Sequence, residues 1–175
     1  MESMNHGNIG GESGAGAVPD GGGPAPDTVH KGTPDELTHI ISSLSRLFFS
    51  TYYINLEHDT FRAVTQLRRV GDLLGDEVNF TAGLQLYANH VIHPDDRREY
   101  LRVMSVDNLR RELRWWNPCV AVEYRRPVDG PGGGENSWGW VRATAVLAQA
   151  GEKENDMPLT AVYVAQDISG GRRQI

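Results

Sequence analysis

The chain contains a single cysteine, Cys119, in 175 residues. It can form no internal disulfide and no cysteine-rich zinc site. No apolar run approaches the roughly 20 residues that a membrane-crossing helix needs, so no membrane partner is expected. The opening Met1-Glu2-Ser3-Met4-Asn5 has no basic segment and no apolar segment after it. A secretory leader is therefore not expected, and the chain reads as cytoplasmic. Basic residues are outnumbered, with 17 Lys and Arg against 23 Asp and Glu, giving a net charge of -6. Phosphate backbones are held by a basic face, so nucleic acid is not expected as a partner either.

The first 33 residues lack leucine and aromatics altogether, and hold 9 of the 20 glycines and 3 of the 9 prolines. Such a stretch cannot bury enough apolar surface to offset its ordering entropy, so residues 1–33 are expected to be a flexible tail. It carries four acids and one lysine, leaving 19 acids and 16 bases in the other 142 residues. The remainder is nearly balanced in charge and long enough for one independent core. The expected division is the tail, a domain over 34–169 and a short extension over 170–175.

Thr33, Pro34 and Glu36 form a helix start with a capping box. Leu37, Ile40, Ile41, Leu44, Leu47 and Phe48 follow at helical spacing, so an amphipathic helix is expected over 34–48. Its stripe suits either the chain's own sheet or a second copy in a homodimer. Thr51–Leu56 and Phe61–Gln66 read as strands of a hairpin across the polar turn Glu57–Thr60. A helical turn is expected around Val70–Leu74, and a helix over Thr81–Ile92. Pro94 with Asp95 and Asp96 starts another helix, to about Ser105, and Asp107 caps a last one, to about Trp115. The final third reads as three strands, Cys119–Val128, Trp138–Ala148 and Leu159–Asp167. The turns between them lie at 129–136 and 151–156, and the three strands form an antiparallel meander.

Candidate chemistry is sparse. His93-Pro94-Asp95-Asp96 places a histidine beside two carboxylates, but proline and acids at a helix start are the ordinary capping arrangement, and no metal is expected. Cys119 at a strand start reads as a small core residue. Arg110, Arg111, Arg114, Trp115 and Trp116 could stack single-stranded bases. Glu112 and Asp107 interrupt them, and the favoured reading is a solvated helix face with the tryptophans packed on the sheet. Gly132-Gly133-Gly134-Glu135 has no following lysine or helix and reads as a hairpin loop. Ser42, Ser43, Ser45 and Ser50 lack the strand-turn-helix setting of a nucleophile. No catalytic constellation is visible, and no enzyme activity is expected.

The segments Leu44–Asp59, Ile92-His93-Pro94-Asp95-Asp96-Arg97, Glu123-Tyr124-Arg125-Arg126, Asp129-Gly130, Trp140-Val141-Arg142 and Asp167-Ile168-Ser169 together resemble a PAS sensor domain. The matching subgroup is the one often found before diguanylate cyclase domains. The resemblance spans about residues 37–169, with a longer glycine turn after Asp129 as a departure. It implies an α+β fold: a five-stranded antiparallel sheet in the order 2-1-5-4-3, with helices on one face. It also implies a non-catalytic sensory module that binds a small molecule or a protein partner and passes the signal to an output domain. The alternative is a ligand-free dimerisation module. A third reading is an enzyme on a similar sheet, which would need a polar cluster in the pocket. Haem, through His90, and flavin, for which the cysteine motif is missing, are not expected. Strand alternation gives candidate pocket residues Tyr53, Leu74, Leu84, Tyr87, Ala88, Val91, Val122, Tyr124, Trp140 and Thr144.

Overall fold

The computed structural model describes residues 32–128, 137–151 and 156–172. Most of the expected tail, the glycine turn 129–136, much of the turn at 151–156 and the end of the extension lie outside these residues. In chain order the elements are α1 (Pro34–Leu44), β1 (Ser50–Asn55), β2 (Thr60–Thr65), α2 (Arg68–Leu74) and α3 (Phe80–His90). They continue with α4 (Pro94–Met104), α5 (Val106–Glu112), β3 (Cys119–Pro127), β4 (Trp138–Ala150), β5 (Pro158–Asp167) and α6 (Ser169–Arg172). The five strands form one antiparallel sheet in the order β2-β1-β5-β4-β3. Among the described residues, no helix is long and apolar enough to cross a membrane.

The core lies between one face of the sheet and α2 to α5. Tyr52, Ile54, Val122, Tyr124, Val141, Ala143, Ala145, Ala161, Tyr163 and Ala165 are buried at alternate strand positions. Phe80, Leu84, Tyr87 and Ala88 of α3, and Tyr100, Val103 and Met104 of α4, close over them. The small alanines of β4 and β5 leave room for the large rings from the helices. This division of volume lets a close-packed interior form without strain.

Local chemistry fixes the ends. The capping box at Thr33 and Glu36 is formed in full. α1 stops at Leu44, short of the expected Phe48. The hydroxyls of Ser43 and Ser45 bond back to the carbonyls of His39 and Ile41, and such local bonds compete with helix propagation. α3 starts one residue earlier than expected because the Asn79 side chain accepts from the Ala82 N–H at 2.8 Å. Asp59, in the β1–β2 turn, has φ 51°. Its carboxylate accepts from Asn79 Nδ2 at 3.1 Å and Thr81 N–H at 3.0 Å, which ties the hairpin turn to the head of α3. α5 is capped by Ser105, not by Asp107, and ends at Glu112 because a tight turn pairs Arg114 with Asn117.

α4 is fastened to β3 through Arg125, which pairs closely with Asp96 and lies 3.6 Å from the Asp95 carboxylate. Both oxygens of Asp96 accept from the Arg125 guanidinium at 2.8 Å, and one also accepts the Arg125 backbone N–H at 2.9 Å. His93 N–H donates to the Arg125 carbonyl at 2.9 Å. The guanidinium bonds hold the Asp96 carboxyl below its ordinary value of 3.8. A depressed carboxyl contributes stability above its unfolded pKa and loses it as pH falls. Asp96→Asn is therefore expected to lower the melting temperature at pH 7 by roughly 2–8 °C. The loss should shrink as pH falls below about 4. Thermal melts from pH 2.5 to 7 check both expectations.

Candidate functional site

A cavity opens between the sheet and the helices. It is lined by Ser50 and Tyr52 of β1, Phe61 of β2, and Val70 and Leu74 of α2. Phe80, Gly83, Leu84 and Tyr87 of α3, Tyr100 of α4, and Tyr163 and Ala165 of β5 complete the wall. Its empty volume is about 430 Å³, a figure that includes the open mouth. As it stands, the enclosed part has room for roughly three waters. Gly83 shapes the wall: a Cβ there would stand 2.9 Å from the Phe61 ring.

Three of the ten expected pocket residues, Leu74, Leu84 and Tyr87, line this cavity. Ala88, Val122 and Tyr124 are buried in the core beside it, and Val91 packs against that core. Tyr53, Trp140 and Thr144 are corrected to the opposite face of the sheet. β1 buries Ser50, Tyr52 and Ile54, so of the two adjacent tyrosines it is Tyr52 that turns inward. Tyr53 is exposed and donates its hydroxyl to Thr160 Oγ1 at 3.1 Å. β4 turns Val141, Ala143 and Ala145 inward, leaving Trp140 and Thr144 outward. The Arg125 guanidinium lies 5.5 Å from the centre of the Trp140 ring. The residues missed are Ser50, Tyr52, Phe61, Val70, Phe80, Gly83, Tyr100, Tyr163 and Ala165. The inward alanines at 143, 145, 161 and 165 are the signal that could have set the facing.

Apart from the Ser50 hydroxyl, the polar chemistry of the cavity is phenolic. Tyr87 and Tyr124 share a hydroxyl hydrogen bond of 2.8 Å, and Tyr100 and Tyr163 share one of 3.0 Å. The rings of Tyr100 and Tyr124 meet edge to face at 5.1 Å. Burial pushes Tyr52 up to about 12 and raises Tyr87. It lifts Tyr100, Tyr124 and Tyr163 well above the ordinary phenol value. No charged side chain lines the cavity.

Other expected features settle elsewhere. His93 caps α4, its Nδ1 accepting from the Asp95 N–H at 3.2 Å, and its ring meets the edge of Trp138. His90 is exposed, and its Nδ1 lies 2.8 Å from the Leu86 carbonyl of its own helix. Cys119 is exposed, not a core residue, because β3 begins at the sheet edge. Trp115 and Trp116 do not pack on the sheet. They stand 55% exposed in the turn after α5, edge to face at 5.4 Å.

The fold is PAS-like. The strand order and the one-sided helical cover carry that statement. Among solved structures, the chain is similar to one titled as an RNA-binding light-oxygen-voltage receptor, at 18% identity and a TM-score of 0.45. The similarity covers 72% of this chain and 31% of that one, so the chain spans about a third of that receptor's length. No family profile and no curated protein matches the chain.

Truncating one phenol of a buried pair strands its partner, which costs about 1–3 kcal/mol. Tyr100→Phe and Tyr163→Phe are each expected to destabilise by that amount. The double variant should cost less than the sum, read from urea unfolding of all four proteins. Raised phenols lose stability as pH climbs past the unfolded value of 10. Absorbance at 295 nm should show these buried phenols un-ionised at pH 11 while the chain stays folded, with stability falling above pH 10.

Proposed function

We propose that this chain is a non-catalytic sensory module that takes a small molecule in the cavity between its sheet and helices. It passes the change to a partner protein or an output domain. The observation that carries the reading is the cavity itself, a space walled by aromatic rings on a PAS-like fold, where a well-filled core would leave none. Its rings lie on three strands and two helices, so a ligand could bias how the helices sit on the sheet. A ligand signals only if it favours one of two arrangements. The chain's end is coupled to the sheet. Trp140 N–H donates to Ser169 Oγ at 2.9 Å, and Ile168 N–H donates to the Trp140 carbonyl at 2.9 Å. These bonds support the segment at Asp167-Ile168-Ser169 as the point of output, as the family's coupling to a downstream helix suggests.

A second reading, ligand-free dimerisation, is favoured by α1. No residue of α1 is buried, and Leu37, Ile40, Ile41, Leu44 and Leu47 stand 44–60% exposed. The alternative expectation, that the stripe packs on the chain's own sheet, is not what is observed. An isolated helix of this length is marginal in water, so a cover would stabilise it. A second copy, stripe to stripe, supplies one.

Native mass spectrometry with a denatured control, across a dilution series, separates the readings. Extra mass lost on denaturation supports the sensor. A clean apo dimer supports the interaction module, and a clean apo monomer argues against both. If α1 pairs, Ile41→Glu is expected to weaken the dimer by about tenfold or more, a change of about 1.4 kcal/mol.

A further inference from the structure

The cavity's lining narrows what it can hold, and the inference rests on the reading of the cavity as a ligand site. Its wall carries no carboxylate, ammonium or guanidinium. An ion buried there without a partner would cost several kcal/mol. The cation that reaches Tyr87 electrostatically is Arg126, and its guanidinium sits 4.2 Å over the Phe49 ring. The ligand is therefore expected to be neutral.

The hydroxyls say more. Tyr87 pairs with Tyr124 at 2.8 Å, and Tyr100 with Tyr163 at 3.0 Å. Each hydroxyl owns one hydrogen and each pair shares one bond, so each pair keeps one hydrogen free. Tyr87, Tyr100 and Tyr163 line the cavity and can turn a free hydrogen into it. The remaining phenol of the wall is spoken for, since the Tyr52 hydroxyl donates to Gln66 Oε1 at 3.2 Å.

We propose that the cavity binds a small, neutral, planar and mainly apolar molecule bearing a hydrogen-bond acceptor, which takes a free hydroxyl hydrogen from the Tyr87–Tyr124 or the Tyr100–Tyr163 pair. The rings of Phe61, Phe80 and Tyr52 supply edge-to-face contacts for its plane. One aromatic ring with a small substituent is larger than this space and enters only as the wall gives way. Phe61, on the edge strand β2 and packed against Gly83, must shift to admit it.

Three probes of nearly one shape test this on the whole chain: acetophenone, neutral with a carbonyl acceptor; toluene, neutral with none; and benzoate, an anion. Affinities are read by ligand-observed NMR titration. Acetophenone is expected to bind at least tenfold tighter than benzoate and several-fold tighter than toluene. In the Tyr87→Phe, Tyr100→Phe, Tyr163→Phe triple variant, acetophenone should fall to toluene's level, while unchanged toluene binding shows that the cavity is intact. Benzoate binding as well as acetophenone overturns the neutral class and leaves the sensory reading standing. Toluene binding as tightly as acetophenone overturns the role of the spare hydrogen. If none of the three binds, the proposal is overturned, and the sensory reading is then judged separately by the mass that copurifies with the chain.

Discussion

Four phenols hold the helices and the sheet to a common centre. Tyr87 comes from α3, Tyr100 from α4, Tyr124 from β3 and Tyr163 from β5. Their hydroxyls are removed from water and find partners in one another. A buried hydroxyl left alone is costly, so each of the four elements must sit where its phenol meets the next. The chain uses polar bonds inside its core to specify how its two layers register. Apolar packing alone would tolerate sliding that these bonds do not.

The same arrangement explains why space remains beside the core. Large rings on the helices face small alanines on β4 and β5, and the phenols are held at hydrogen-bonding distance instead of collapsing onto the strands. The Asp96–Arg125 pair fixes the head of α4 against β3, and the Asp59 carboxylate fixes the head of α3 against the β1–β2 turn. A cavity between anchored elements is a feature that a ligand can use, because filling it changes the balance of contacts without unfolding the frame.

Much of this was legible in the sequence, and the exceptions have physical causes. The capping box at Thr33, the proline and acids at the start of α4, and the alternating strands depend on neighbours in the chain, and local chemistry announces them. Two of the motifs behind the PAS resemblance meet in space, since Asp96 of one binds Arg125 of the other. Facing was harder. Tyr52 and Tyr53 are equally aromatic, and only the packing of β1 against the helices decides which turns inward. Strand alternation read at Trp140 is one residue out of phase, and the inward positions of β4 belong to Val141, Ala143 and Ala145, which make room for rings arriving from elsewhere. Trp115 and Trp116 are exposed because a turn, not a helix, carries them. Tyr100 and Tyr163 escaped notice because their roles arise from a bond between residues 63 positions apart.

The central claim is that the phenols form two buried, hydrogen-bonded pairs. Proton NMR of the hydroxyl groups tests it directly. The account predicts observable hydroxyl signals from Tyr87, Tyr100, Tyr124 and Tyr163, slow to exchange with water, with cross-peaks within each bonded pair. Hydroxyl protons that exchange too fast to be seen would contradict it, showing an interior open to water and layers held by apolar packing alone.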